Sequence, residues 1–433
     1  MSRPSDTSMV YTLFGGIAAL IIVHGIGRFA YTPILPLMRE DGLTLQQGGW
    51  LAAANYVGYL LGALFTVFSH GDRIQRLRGG LLVSIATTLM MGLTHALPAW
   101  LLLRFVSGLS NGVVFVYAAN LVLERLTLAG RSALGGLLYS GVGAGIVLSG
   151  LLVLAVDFAG WGWQAAWWGL ALICALLLQP AWQLQAATPQ AASSKPAPAV
   201  RTPAYLLVVA GYGCAGLGYI VSMTFLPAII RATPGMQQFA AWSWVILGLA
   251  VIPSSLFWSW AAQRWGEVPA LLAAYGLQAI GVMAPLWWPD RFGASASALL
   301  LGGTFLGIVV MAMMLARKHD PQGGSRTVGV MTSAYGLAQI IGPLITAALA
   351  ARPDAIGLAL QIATVVLLLG AACLMASATL TGEEAITSIT LISAILFLFK
   401  VQTLLGIRCI HLRLTIIKWQ TRSRPQSDLF SSR

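Results

Sequence analysis

The 433-residue sequence is 58% hydrophobic and only 9% charged, against roughly 25% charge in soluble domains, which excludes a soluble globular chain. A net charge of +12 invites the idea of a nucleic-acid partner, so the placement of the basic residues has to be read before that idea is used. Apolar blocks about 20 residues long, the length that crosses roughly 30 Å of hydrocarbon, recur along nearly the whole chain and define an integral membrane protein.

Twelve helical spans are predicted, at 10–36, 48–69, 79–97, 100–122, 132–156, 164–182, 203–228, 239–261, 269–288, 293–316, 326–350 and 355–380. With the amino terminus inside, the inner loops and ends carry Arg3, Arg73, Arg76, Arg78, Arg125, Arg131, Lys195, Arg201, Arg264, Arg317, Lys318 and Arg326. The outer loops carry only Arg39, Arg231, Arg291 and Arg352, a positive-inside distribution. The basic excess therefore encodes topology. It gives no further support to a nucleic-acid role, and it predicts a multi-pass protein of the cytoplasmic (inner) membrane with both ends of the twelve-helix core cytoplasmic. Cys174, Cys214, Cys373 and Cys409 sit at no metal or redox spacing and read as small buried apolar residues. The first apolar block has no small-residue cleavage pattern after it, so no cleavable signal is expected.

The first span contains "HGIGRFAYTPILP", residues 24–36, where His24 and Arg28 lie one helical turn apart with Tyr31 three residues beyond, all on one side. Arginine at mid-bilayer costs at least about 2.5 kcal/mol on insertion scales, so Arg28 should face a cavity or a partner; the other reading is that it snorkels to the outer headgroups. Gly25 and Gly27 permit close backbone approach or are simple packing glycines. His24 is the one histidine in the interior of a span, His95 lying near the end of its own, and is a candidate for proton coupling or for plain packing. In the second span Asn55 and Tyr59 share a face beside Gly58 and Gly62. In the fourth, Arg104, Ser107, Gly108 and Asn111 form one polar and small stripe that should look into a bundle. Every Asp and Glu lies at a span end or in a loop, so two intramembrane cations without anions point to a visiting anion such as a carboxylate. Alternatively, Arg104 donates to helix-end carbonyls or to Glu124. Gly141, Gly145 and Ser149 in the fifth span, and Gly303 and Gly307 in the tenth, have small-xxx-small spacing and are packing signals first. "WGWQAAWW", 161–168, reads as an aromatic belt at the outer surface.

Sliding the chain on itself by 191 residues superimposes Gly25, Gly27, Leu35, Pro36, Gln46, Gln47 and Arg73 on Gly216, Gly218, Leu226, Pro227, Gln237, Gln238 and Arg264. At an offset of 195, Gly108, Gly112 and Arg131 fall on Gly303, Gly307 and Arg326. One repeat with a small loop insertion explains both offsets. The predicted organisation is an N-terminal six-helix bundle at 1–182, an Ala, Pro and Ser-rich cytoplasmic linker at 183–202, a C-terminal six-helix bundle at 203–380 and a basic tail at 381–433. Two like halves of this kind are the architecture by which carriers alternate access to a site near the midplane. The equivalent of Arg28 is Tyr219, and the polar residues available in the second half are Tyr212, Tyr219, Ser222, Gln278, Tyr335 and Gln339, so an asymmetric cavity is expected.

This plan resembles the major facilitator superfamily over about residues 10–380. The stretch "GIGRFAYTPILPLMREDGLTLQQGGWLAAANYVGYLLGAL" is similar in particular to its YjiJ-like branch. The superfamily's gating-loop motif is matched at Asp72, Arg73 and Arg76, with Phe68 and Gln75 replacing its two glycines, and its fourth-helix motif at Arg104 and Gly108. The fifth-helix motif lacks its proline; a Gly-Pro pair stands instead at Gly342 and Pro343, so no antiporter assignment is made. The resemblance implies an all-α membrane protein of twelve transmembrane helices in two pseudo-symmetric six-helix bundles; an extra C-terminal hydrophobic segment follows where the resemblance stops. It also implies a secondary active transporter, and the two unpaired intramembrane arginines predict that its solute is small and anionic or amphipathic.

The candidate solute-binding residues are Arg28, Tyr31, Asn55, Tyr59, Arg104, Asn111, Tyr219 and Gln339, with His24 for the proton. The expected partners are a small-molecule solute, the lipid bilayer and an optional coupling proton; the chain is expected to be monomeric, with no cofactor, no metal and no nucleic acid. The absence of GxxxxGK[ST] argues against ATP drive by this chain. A transporter-like receptor or assembly subunit that binds without translocating is the alternative, and a membrane enzyme is third, because the spans hold no nucleophile and base pair. The apolar run from 386 reads as a segment lying on the inner surface, since spanning there would place six basic residues outside.

Overall fold

The computed structural model describes residues 6–69, 71–185 and 202–382. All regular structure among them is helical. Residues 186–201 of the expected linker, the C-terminal apolar segment, His70, Lys195, Arg201 and Cys409 lie outside the described residues.

The first predicted span is α1 (Asp6–Leu20), a π-helical segment (Ile21–Ile26), a turn, and α2 (Tyr31–Glu40). The first half continues with α3 (Leu45–Phe68), α4 (Arg73–Met91), α5 (Leu97–Leu128), the short α6 (Gly135–Leu138), α7 (Ser140–Phe158) and α8 (Trp163–Trp182). The second half is α9 (Pro203–Ala232), α10 (Phe239–Trp265), α11 (Glu267–Trp287), α12 (Arg291–His319), α13 (Gly324–Ala348) and α14 (Ala355–Leu380). Eleven stretches among the described residues have the length and hydropathy to cross a membrane. By position α4 completes a set of twelve, with Arg73, Arg76 and Arg78 in its first two turns.

Local chemistry sets the ends. Thr44 and Gln47 form a reciprocal capping box at α3, with bonds of 3.1 and 3.0 Å. Thr202 caps α9 just before Pro203, and Asp290 caps α12 through Gly293 N at 2.9 Å. The third span differs from expectation by six residues at its start, 73 in place of 79. Asp72 accepts from Ile74 N at 2.8 Å and begins the helix in charged sequence, before any apolar residue marks it.

The core is apolar, the outer surface is apolar too, and a small set of polar side chains is buried among the helices. Leu102, Leu172, Leu176, Leu206 and Phe292 are exposed, while His24, Arg28, Asn55, Arg104, Asn111, Gln278 and Gln339 are at most 7% exposed. The tryptophans of 161–168 are split: Trp161 and Trp168 face outward as a belt would, whereas Trp163 and Trp167 are buried. Trp163 is held by a 2.8 Å bond to Asp41, so the aromatic cluster is partly a packing element.

Glycine governs the close helix contacts. A methyl group at Gly58 or Gly62 would overlap backbone of α5 at Phe105 or Leu109, and one at Gly108 or Gly112 would overlap backbone of α3 at Asn55 or Tyr59. In α12 the close approach belongs to Gly302, against the Leu247 carbonyl, and to Gly307, against Trp258, while Gly303 has open space beside it. Across the halves α7 packs on α10, α3 on α13 and α2 on α9. Gly49 meets the Pro343 carbonyl in the second of these contacts, and Gly143 the Gly248 carbonyl in the first.

Candidate functional site

The site begins with a defect in the first span. Gly27 N donates to Ile22 O at 2.8 Å and Phe29 N to His24 O at 3.3 Å, both one residue longer than α-helical, before the chain tightens at Thr32 N to Phe29 O, 3.0 Å. The carbonyls of Gly27 and Arg28 then receive side-chain donors from α5. Arg104 Nη1 donates to Gly27 O at 3.1 Å, Arg104 Nη2 to Arg28 O at 3.3 Å and Ser107 Oγ to Gly27 O at 3.3 Å. Two glycines make this possible: a methyl at Gly25 would strike Gly145 of α7, and one at Gly27 would strike Asn111 and Ser84. Arg104 therefore takes the backbone role that its sequence context left open, and Glu124, its other candidate partner, pairs with Arg73 at 2.7 Å.

Arg28 projects from that defect into the contact between the halves. It is 2% exposed. Its Nη2 donates to Gln339 Oε1 of α13 at 2.7 Å, and Gln339 Nε2 donates to the Tyr219 hydroxyl of α9 at 2.5 Å. The guanidinium carbon lies 4.0 Å from the centre of the Tyr59 ring, 4.7 Å from Tyr56 and 5.6 Å from Phe29. Its Nε and Nη1 have no hydrogen-bond partner among the described residues. No carboxylate of the described residues neutralises it, so its charge is met there by an amide oxygen and ring faces.

The predicted residues separate into two groups. Arg28, Tyr59, Tyr219, Gln339 and His24 come together, His24 lying against Phe115, Phe29 and Tyr59 at ring distances of 4.5, 5.3 and 5.4 Å. Tyr31, Asn55, Arg104 and Asn111 form a support network within the first half. Tyr31 donates to Gly48 O at 3.0 Å beneath Arg104, Asn55 Nδ2 to Arg104 O at 3.1 Å, and Asn111 joins Ser84 and Ser107 at 2.8 and 3.3 Å. At the start of α4, Asp72 caps the helix, Arg73 holds Glu124, and Arg76 bonds to Ser69 and Tyr117. Sequence reasoning missed Phe29, Tyr56, Phe305 and Thr224, which are unremarkable as apolar or hydroxyl residues in a span. It also missed Arg231, read there as topology. Tyr56 of α3 and Thr224 of α9 bond across the halves at 3.0 Å.

A guanidinium with no carboxylate beside it among the described residues, set between two pseudo-symmetric halves of a polytopic helical protein, fits the architecture of the major facilitator transporters. The chain belongs to the family described as "Uncharacterised MFS-type transporter YbfB", matched over residues 20–375. It is 26% identical over 296 residues to a gallate transporter of Pseudomonas putida, covering 62% of this chain and 63% of that protein. It is 25% identical over 389 residues to NiaP of Bacillus subtilis (strain 168), a candidate niacin/nicotinamide transporter, covering 83% and 93% of the two. The crystal structure of the nucleoside transporter NupG, solved as a mutant, shares the fold at a TM-score of 0.66 and 13% identity, covering 85% of this chain and 99% of NupG. Family and relatives are transporters and not enzymes.

Proposed function

We propose that this transporter moves a small anionic solute across the cytoplasmic membrane by alternating access. Residues 1–182 and 203–380 act as the rocking bundles, 183–202 as the strap between them, and the amino terminus is cytoplasmic by the charge rule. The YjiJ-like placement of residues 25–64 within the superfamily belongs to the same reading. One observation carries the proposal: Arg28 is buried between the halves with donors unused and no carboxylate beside it among the described residues. Burying an unpaired charge is costly, and a carboxylate arriving at Arg28 relieves that cost while drawing both halves toward one ligand. Gallate, named in one relative, is such an anion. His24, one turn before Arg28 and with Nδ1 unpartnered, is the proposed proton carrier.

Uptake of labelled gallate and nicotinate into proteoliposomes tests this. Arg28→Gln should lower uptake at least about tenfold, the loss of one charge-assisted pair, with normal membrane insertion. His24→Gln should abolish the response to an imposed pH gradient while leaving binding intact. Undiminished uptake by Arg28→Gln would remove the anion anchor, and an unchanged gradient response would remove the proton role.

A further inference from the structure

Beside Arg28 the second half presents aligned rings. Tyr219 and Phe305 lie 5.4 Å apart at 3° between planes, Tyr219 and Tyr335 5.8 Å apart at 20°, and Tyr335 and Tyr212 4.4 Å apart at 19°. The first-half rings around His24 show the other habit, with Phe29 and Tyr59 turned edge-on at 81° and 71°. Filling a core does not require alignment, because edge-to-face pairs are equally favourable. The rings of this column are buried against one another and share one orientation, the orientation in which a flat guest beside Arg28 would join the stack. The column is tied to the cation directly: Tyr219 accepts from Gln339, and Gln339 accepts from Arg28, at 2.5 and 2.7 Å. Phe305 of the column also meets Phe29, the residue after Arg28, at 6.1 Å.

Charge sets the other half of the ligand. Arg28 and Arg104 are the two cations in the interior of the predicted spans, and Arg104 is committed to the backbone of Gly27 and Arg28. One guanidinium with free donors balances one negative charge. A carboxylate conjugated to a ring lies in the ring's plane, so a ligand held by Arg28 carries its ring outward as a flat extension of the anchored group.

Resting on the reading of Arg28 as the anion anchor, we infer that the solute class is the planar aromatic monocarboxylates, with the Tyr219, Phe305 and Tyr335 rings as the specificity-determining surface. The purified full-length protein is titrated with three probes of matched size: benzoate, which is flat and charged; cyclohexanecarboxylate, charged but puckered; and benzamide, flat but neutral. Benzoate should bind roughly three- to tenfold more tightly than cyclohexanecarboxylate, the worth of an aromatic contact beyond its area, and benzamide should not bind measurably. Tyr219→Leu should bring the first two probes to equality, while Tyr219→Phe, which keeps the ring, should preserve their ratio. Equal binding of benzoate and cyclohexanecarboxylate by the unaltered protein would overturn the aromatic class and leave the anion reading standing. Benzamide binding as tightly as benzoate would overturn the anion reading beneath it. Absence of binding by benzoate, nicotinate and gallate alike would also overturn the aromatic class.

Discussion

Arg28 and Arg104 are the same residue type, equally buried, linked at 3.3 Å through the Arg28 carbonyl, and put to opposite uses. Arg104 commits its two Nη groups to carbonyls that a regular helix would have satisfied itself, and so makes a broken span tolerable in a medium without water. Lysine cannot reproduce this, because a single ammonium lacks the fixed fork that reaches two carbonyls at once. Arg104→Lys should therefore lower thermal stability by about 1.5–3 kcal/mol, the range for a hydrogen bond to a charged group. It should also weaken anion binding through misplacement of Arg28. A melting curve in detergent with and without benzoate checks both; a stable Arg104→Lys protein with intact binding would show that the carbonyls need no fork. The sequence shows both cations and the lack of acids, but cannot divide their roles. That division depends on where the first span breaks, and a π-helical segment leaves no mark in hydrophobic periodicity.

At the scale of elements, most of the fold is legible because a bilayer makes length and apolarity decisive. The predicted spans 203–228, 239–261 and 355–380 begin at the observed first residues of α9, α10 and α14. Where chemistry outside the hydrocarbon sets an end, the reading slips, as at α4, whose start belongs to the Asp72 cap. Small-residue spacing identified Gly141, Gly145 and Gly307 as contact positions, but it misassigned Gly303, because spacing fixes a face only to within one residue. The α3 and α5 contact gives a direct test. A methyl at Gly108 would run into the Asn55 carbonyl, which is backbone and cannot step aside, whereas Gly276 of α11 has nothing within 4 Å of the equivalent point. Gly108→Ala should cost about 1–3 kcal/mol by overpacking, and Gly276→Ala should be neutral or stabilising by up to about 1 kcal/mol through helix propensity. Melting temperatures of the pair decide it, and equal behaviour would mean that α3 and α5 separate without penalty.

At the scale of the whole molecule the repeat offset reappears as physical contact. Thr32 Oγ1 donates to Met223 O at 3.0 Å, and Arg231 pairs with Glu40 at 2.6 Å, each pair being 191 residues apart. Arg28 and Tyr219, also 191 apart, are joined through Gln339. Residues that touch their own repeat equivalents lie on the pseudo-twofold axis, just as residues on a true axis meet themselves. The axis therefore runs from Arg28 along α2 and α9 to Arg231. There one guanidinium holds two carboxylates of the first half, Glu40 at 2.6 and 3.0 Å and Asp157 at 2.8 and 3.0 Å. All three are partly exposed, so the cluster contributes modestly, about 1 kcal/mol, and under the proposed alternating access it would act only while this end of the halves is closed. Removing it should shift the closed-to-open balance about fivefold. Spin labels at Gln46 and Gln237, exposed repeat equivalents at the same end, should report a longer-distance population that grows by that factor in Arg231→Gln and again at high salt in the unaltered protein. Glu40→Gln alone should give a smaller change, because Asp157 still holds the arginine. A distance distribution indifferent to both would mean that the ion cluster decorates the closed end without helping to keep it shut.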